Sequence, residues 1–228
     1  MTEPPRYLIV NGDDLGASAG VNRGILEAHR EGILTSASLM VDMPAAEEFG
    51  ARRDEAPQLS VGLHATLTSE GGELKIAPGD CRIELERQLD RFQELLGRLP
   101  THLDSHHNVH LQRASFGEVF AGLAAELGVP LRGRSAARYY ADFYGQQNDG
   151  VSHPELVSVG GMLETLEREV GPGVTEIGCH PGYAGDGFRS SYLVEREAEV
   201  RTLCDPRVRA RIEALDIRLI SFSELAVA

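Results

Sequence analysis

Positive charge is scarce in this sequence: 22 Lys+Arg stand against 35 Asp+Glu in 228 residues, a formal net charge of −13. A groove that tracks nucleic-acid phosphates needs clustered cations, so no nucleic-acid partner is expected. No apolar run approaches the roughly 20 residues of a membrane-spanning helix, and no membrane span is expected. The start MTEPPRYLIVN lacks the basic segment and apolar stretch of a secretory leader, which points to a cytoplasmic location. Cysteine is sparse too. Cys81, Cys179 and Cys204 are odd in number and share no CxxC spacing, so neither a disulfide framework nor a thiolate zinc site is expected. No internal repeat, low-complexity tract or Ser/Gly linker divides the chain, and one domain over 1–228 is the expectation.

What is present is a 42% hydrophobic content, enough for a core, arranged in alternating strand-like and helix-like periods. Tyr7–Val10 reads as the first strand. Ser18 caps a helix carrying Val21, Ile25, Ala28 and His29, with Gly32 expected to close it in a left-handed turn. Ile33–Val41 is the next strand, a helix with Ala46 and Phe49 precedes Pro57, and Leu59–Leu67 is strand three. Leu85, Leu89, Phe92, Leu96 and Leu99 form one apolar helical stripe that Pro100 is expected to end. His102–His106 is strand four. Phe116, Val119, Phe120, Leu123 and Leu127 mark a helix, and Gly128–Leu131 a short strand. A helix with Met162, Leu163, Leu166 and Val170 leads to the strand Thr175–Cys179. The charged region Leu193–Leu215 restarts at Asp205-Pro206, and Ile217–Ile220 is the last strand. The pattern predicts an α/β fold, a single-domain (β/α) barrel of about seven strands. Arg134–His153 has no clean period and reads as a long loop whose Tyr139, Tyr140, Phe143 and Tyr144 could wall a substrate.

Ionisable residues gather at four strand ends: Asn11-Gly12-Asp13-Asp14, Gly62-Leu63-His64, His102–His106 and Glu176–His180. In a barrel those ends converge on one mouth. Strand periodicity puts His102, Asp104 and His106 on one face, and Glu176, Gly178 and His180 on one face of another strand. Such groups are costly to bury unless paired, hydrogen-bonded or metal-bound. Four of the eight histidines fall in His102–His110, and a mixed His/carboxylate set suits a catalytic divalent ion. Adjacent Asp13 and Asp14 are expected to point to different sides, one toward a metal and the other as a base. The Glu/Arg-rich stretch from Glu195 to Arg211 reads as a solvated helix face.

Taken together, Leu8–Ser18, Gly32–Met40, Gly62-Leu63-His64, Thr101–His110, Cys179–Tyr183 and Leu219–Leu225 resemble, in order, the YdjC-like carbohydrate deacetylases. The resemblance implies a barrel of the glycoside hydrolase/deacetylase type, a divalent metal, removal of an acetyl group from an N-acetylated amino sugar, and a homodimer. Carried over by position, the metal ligands are Asp14, His64 and His106, the general base is Asp13, and the general acid is His180. The chain departs from the family at Gly12, often Ala, at Leu15, often Phe, and at Asn108, usually His. Asn108 cannot take up a proton and receives no metal role. Ala65–Glu84 is shorter than in long members.

Chemically, an amide needs an activated water, a stabilised oxyanion and a proton for the departing amine. Arg132 is expected to hydrogen-bond Asp13 and keep it ionised. It is grouped with Tyr139, Phe143 and Tyr144 as a substrate-side residue. Two imidazoles and one carboxylate favour zinc, cobalt or manganese, whereas the resemblance brings magnesium. Two other readings of the same clusters are a metal-dependent phosphoesterase and a non-catalytic sugar-binding protein on the same barrel.

Overall fold

The computed structural model describes residues 4–147, 151–186 and 189–225. At its centre is β1 (Arg6–Leu15), whose Leu8, Ile9 and Val10 have no exposed surface. Around it run β2 (Ser36–Leu39), β3 (Ser60–Ala65), β4 (Leu103–Ser105), β5 (Ala137–Tyr140), β6 (Gly173–Cys179) and β7 (Ile217–Leu219). The order is β4-β3-β2-β1-β6-β5, with β7 also paired to β1, and every pairing is parallel. Parallel strands need helical crossovers, so all the strands run the same way and present their C-terminal ends at one rim.

The sheet is a half-barrel. Among the described residues β4 and β5 do not pair, and on the β4 side Leu131 makes a single parallel bridge to Leu103. The expected strand Gly128–Leu131 is therefore reduced to one contact. Pro130 has no N–H to give a ladder, although its carbonyl accepts from Leu103, and Gly133 at φ +71° turns the chain away. The strand that restores the count of seven is β5, inside the stretch expected to be a loop. Its register runs from Ala137 on Val174 to Tyr140 on Ile177, and 148–150 of that stretch lie outside the described residues.

Eight α-helices are described: α1 (Ala19–Arg30), α2 (Ala46–Arg52), α3 (Cys81–Leu96), α4 (Val109–Gln112), α5 (Ala114–Leu127), α6 (Val159–Arg168), α7 (Val194–Leu203) and α8 (Pro206–Ala214). Ser18 caps α1 by accepting from the Val21 N–H, and Asp205 caps α8 with Pro206 at its first turn, as the sequence predicts. Two endings differ. The α3 helix stops at Gly97, left-handed at φ +67°, before Pro100 is reached, which leaves Leu99 exposed. Gly32 is not left-handed; a Cβ there would meet the Leu203 carbonyl at 2.4 Å, so the close approach of α7 is what requires it.

Candidate active site

The β1–β2 register shifts between Gly12 and Leu15, and within that bulge Asp14 sits at φ +66°. A left-handed aspartate is strained, and such strain collects at functional positions. Its consequence corrects the expectation from strand periodicity. Asp13 and Asp14 do not diverge but line the same cavity, each with its own partners.

Asp13 belongs to Arg132. The guanidinium donates to both its oxygens, Nη2 to Oδ1 at 2.7 Å and Nη1 to Oδ2 at 2.8 Å, and Asn11 Nδ2 donates to Oδ1 at 2.8 Å. Arg132 also donates from Nε to Glu176 at 2.7 Å and lies 3.1 Å from Asp104. It has no exposed surface, so it underpins Asp13 from within the fold and does not line the cavity, which corrects its grouping with the substrate-side residues. Burial alone would raise the Asp13 pKa, and the Arg132 charge outweighs it, holding the carboxyl below its usual value. One cation cannot fully neutralise three carboxylates. Glu176, deep on β6, is pushed up by burial to about 7 despite its bond to Arg132.

Asp14 takes a different set. Arg196 Nη2 donates to Oδ2 at 2.6 Å, while Oδ1 faces His106 Nδ1 at 3.1 Å and His64 Nε2 at 3.4 Å. Burial opposes its ionisation, and Arg196 and His106 override that, holding it well below the usual carboxylate range. His64 is oriented from behind: its Nδ1 lies 2.7 Å from Asp104 Oδ1, and Asp104 Oδ2 accepts from Ser38 at 2.6 Å. Burial disfavours charge on His64, but Asp104 and Asp13 prevail and lift it to about 10.

The histidine cluster divides its labour. Among its members, His106, at the end of β4, approaches Asp14. His102 is fully buried, 3.0 Å from Ser38 Oγ, with its ring stacked at 3.8 Å on Phe222. His107 pairs with Thr68, and His110 sits between Ser105 Oγ and the Arg132 carbonyl. Burial pushes His102 and His110 down to about 4, so both are neutral framework groups near pH 7.

His180 follows β6. Its Nε2 lies 3.9 Å from Asp13 Oδ2, and its ring meets Tyr144 and Tyr192 edge-on at 5.4 and 5.6 Å. Burial drives its pKa down to about 4, with Asp14 and Asp13 only partly offsetting it. These residues open onto one cavity of 1670 Å³ that Asp13, Asp14, His64, His106 and His180 all line. Tyr139 and Tyr144 line it as well, whereas Phe143 is 1% exposed and packs in the core, outside the lining.

The helix face read as solvated is the main departure. Glu195, Arg196 and Glu199 of α7 are buried, and Arg196 and Glu199 reach Asp14 and His180. Their partners stand 182 and 19 positions away, so no local pattern marks them.

Do these donors fit a divalent ion? One atom each from Asp14, His64 and His106 lies within 4.8 Å of the others, in a buried trio. With Nδ1 of His64 facing Asp104, its Nε2 is directed at the trio, the usual carboxylate-to-histidine support of a metal ligand. His106 Nε2 is buried without a hydrogen-bond partner. The set of two imidazoles and a carboxylate fits, and a neighbouring trio, Asp13, His64 and Asp104, is already occupied by Arg132.

A family model described as YdjC-like protein matches residues 7–214. The chain belongs to the YdjC-like family. Among the relatives, a carbohydrate deacetylase of Geobacillus stearothermophilus is 36% identical, covering 96% of this chain and 98% of that one. A chitooligosaccharide deacetylase of Serratia marcescens is 33% identical, over 96% and 99%. A crystal structure from Enterococcus faecalis V583, named for cellobiose-phosphate cleavage, superposes with TM-score 0.83 at 27% identity, over 97% and 99% of the two chains. The family 4 carbohydrate esterase of Streptomyces lividans, at TM-score 0.60 and 13% identity over 99% and 98%, shares the fold.

Proposed function

We propose that this YdjC-like protein is a metal-dependent carbohydrate deacetylase that hydrolyses the acetamide of an N-acetylated amino sugar, a chitooligosaccharide or related N-acetylglucosamine conjugate. The observation that carries the reading is the convergence of Asp14, His64 and His106 beside the Arg132-bound Asp13 and the partly buried His180, all five lining one cavity of 1670 Å³. The relatives' names point the same way. One catalytic domain over 1–228 is part of this reading. So are a cytoplasmic location, in keeping with three free cysteines, and a homodimer, on family resemblance.

Asp14, His64 and His106 would hold the ion, zinc, cobalt or manganese by donor softness and magnesium by family association. When bound, it supplies Lewis acidity that polarises the acetyl carbonyl and acidifies water. The chain's own groups do the proton work. Asp13, kept ionised by Arg132, takes a proton from the attacking water as its oxygen bonds the carbonyl carbon. His180 rests neutral near pH 7, and Asp13 Oδ2 at 3.9 Å gives that proton a short route to Nε2. As the C–N bond breaks, His180 delivers it to the sugar nitrogen, and acetate and free amine leave. Tyr139 and Tyr144 offer apolar faces to the sugar ring.

The test is product release from purified protein plus divalent ions, given N-acetylglucosamine, chitobiose, longer chitooligosaccharides and a panel of phosphate esters. Free amine and acetate in equal amounts are expected. Phosphate release, or binding of the sugar without turnover, would replace this reading.

A further inference from the structure

Among the described residues no side chain hydrogen-bonds the His180 ring: Nδ1 is buried without a partner and Nε2 stands 3.9 Å from Asp13. A proton donor must nevertheless be held near its target, and something other than ring hydrogen bonds holds this one. The α7 helix does so through the backbone. The His180 N–H donates to Glu199 Oε2, and Arg196 Nη1 donates to the His180 carbonyl at 3.3 Å. Both of His180's main-chain groups are thus held by side chains one helical turn apart on α7.

Glu199 also reaches the ring's surroundings. Its Oε1 accepts from the Tyr192 hydroxyl at 2.5 Å, and that hydroxyl oxygen accepts from the Gly145 N–H at 2.6 Å. Tyr192 in turn stacks on Tyr144, with ring centroids 4.3 Å apart and planes 8° from parallel, and both rings abut the imidazole. The chain Gly145, Tyr192, Glu199, His180 therefore joins the loop after β5 to the end of β6. The loop that walls the substrate and the group that protonates the leaving amine are tied through one buried carboxylate.

We propose that Glu199 and Tyr192 are positioning residues for His180, fixing the imidazole against the stacked pair of Tyr144 and Tyr192 and coupling its placement to the substrate-side loop. The inference rests on the deacetylase reading for its consequence, though not for its geometry. Glu199 carries two acceptor oxygens with two donors aimed at them, and a buried carboxylate without those donors would be costly.

The experiment compares two substrates that differ in their need for an acid. An N-acetyl sugar expels an amine that must be protonated, whereas 4-nitrophenyl acetate expels a stable phenolate that needs no proton. Glu199→Ala is expected to lower kcat on chitobiose about 100-fold with KM unchanged, the cost of a misplaced reacting group, and to leave the ester rate unchanged. Tyr192→Phe, which keeps the ring stack, is expected to cost about tenfold on chitobiose, the worth of one buried hydrogen bond. Glu199→Gln, able to accept from His180 and donate to Tyr192, should recover most of the loss. Equal losses on both substrates, or none, would overturn the inference. The ring nitrogens of 15N-histidine-labelled protein give a readout independent of turnover. The His180 signals should move in Tyr192→Phe while those of His64 and His106 stay, and unmoved His180 signals would overturn the tie. Wild-type protein that leaves N-acetyl sugars intact would refute the deacetylase reading alone, since the labelled signals still report on the tie.

Discussion

Arg132 holds both oxygens of Asp13, at 2.7 and 2.8 Å, from a position with no exposed surface. The pair is buried, so removing the cation strands Asp13, Asp104 and Glu176 around an empty centre. Arg132→Met is expected to cost about 3–5 kcal/mol of stability, read from denaturant midpoints. It should also let the Asp13 pKa climb, so that the acid limb of the pH–rate profile shifts to higher pH. A profile that stays in place would show that Arg132 does not keep the base ionised.

Removing His180, the proposed acid, separates proton delivery from ion binding. His180→Ala should lower kcat on an N-acetyl sugar by about 10²–10⁴-fold while bound metal per chain stays as in the wild type. His180 is outside the buried trio, which is why the ion should be retained. Full activity in this variant would end the assignment.

Stability should peak in a defined pH window. Burial pushes His102 and His110 down to about 4 from 6.5, so their contribution is complete above 6.5 and is lost as pH falls toward 4. Burial pushes Glu176 up to about 7 and Glu199 up to about 8 from 4.5, so theirs is complete below 4.5 and is lost as pH rises through those values. His64, lifted to about 10, weakens the fold in the same direction as pH rises. The two sets oppose each other only between 4.5 and 6.5. Thermal unfolding of chelator-treated protein should show its highest Tm there and a decline from 6.5 to 8, which Glu199→Gln should make shallower. A Tm that climbs from 6.5 to 8 would contradict this balance.

A glycine contact holds the segment after His180 against α1. A Cβ on Gly24 would lie 2.6 Å from Gly182 Cα and 2.7 Å from its N, backbone atoms that cannot swing aside. Gly24→Ala should destabilise the protein by about 1–3 kcal/mol as an overpacked contact. It should also lower kcat more than it raises KM, because the displaced segment begins at His180. Unchanged kinetics and stability would show that the segment yields without cost.

Much of this was readable in the chain, and what was not has physical reasons. Apolar runs and caps located β1, α1, α3, α5 and α8, because burial and terminal hydrogen bonds act within a few residues. Asp13, Asp14, His64, His106 and His180 could be placed at strand ends, since all strands of a parallel βα sheet finish at one rim. Two kinds of feature escaped. The left-handed turn at Asp14 comes from a bulge between two strands, which periodicity within one strand cannot reveal. Arg196 and Glu199 sit in a helix with almost no amphipathic bias. They are buried because Asp14, His180 and Tyr192 meet them across the fold, and a local pattern counts charge without seeing its partner. Likewise β5 is a strand on the strength of its pairing with β6, although Arg138 is exposed and Tyr139 and Tyr140 are half-buried.

The most direct measurement strips the protein with chelator, then titrates back one divalent ion while following ion binding by calorimetry and free amine release from chitobiose in parallel. One ion per chain is expected, with deacetylation returning in step with its binding, and with both lost in Asp14→Ala, His64→Ala and His106→Ala. Undiminished amine release from the stripped protein, or an ion bound equally well after those three substitutions, would contradict the account.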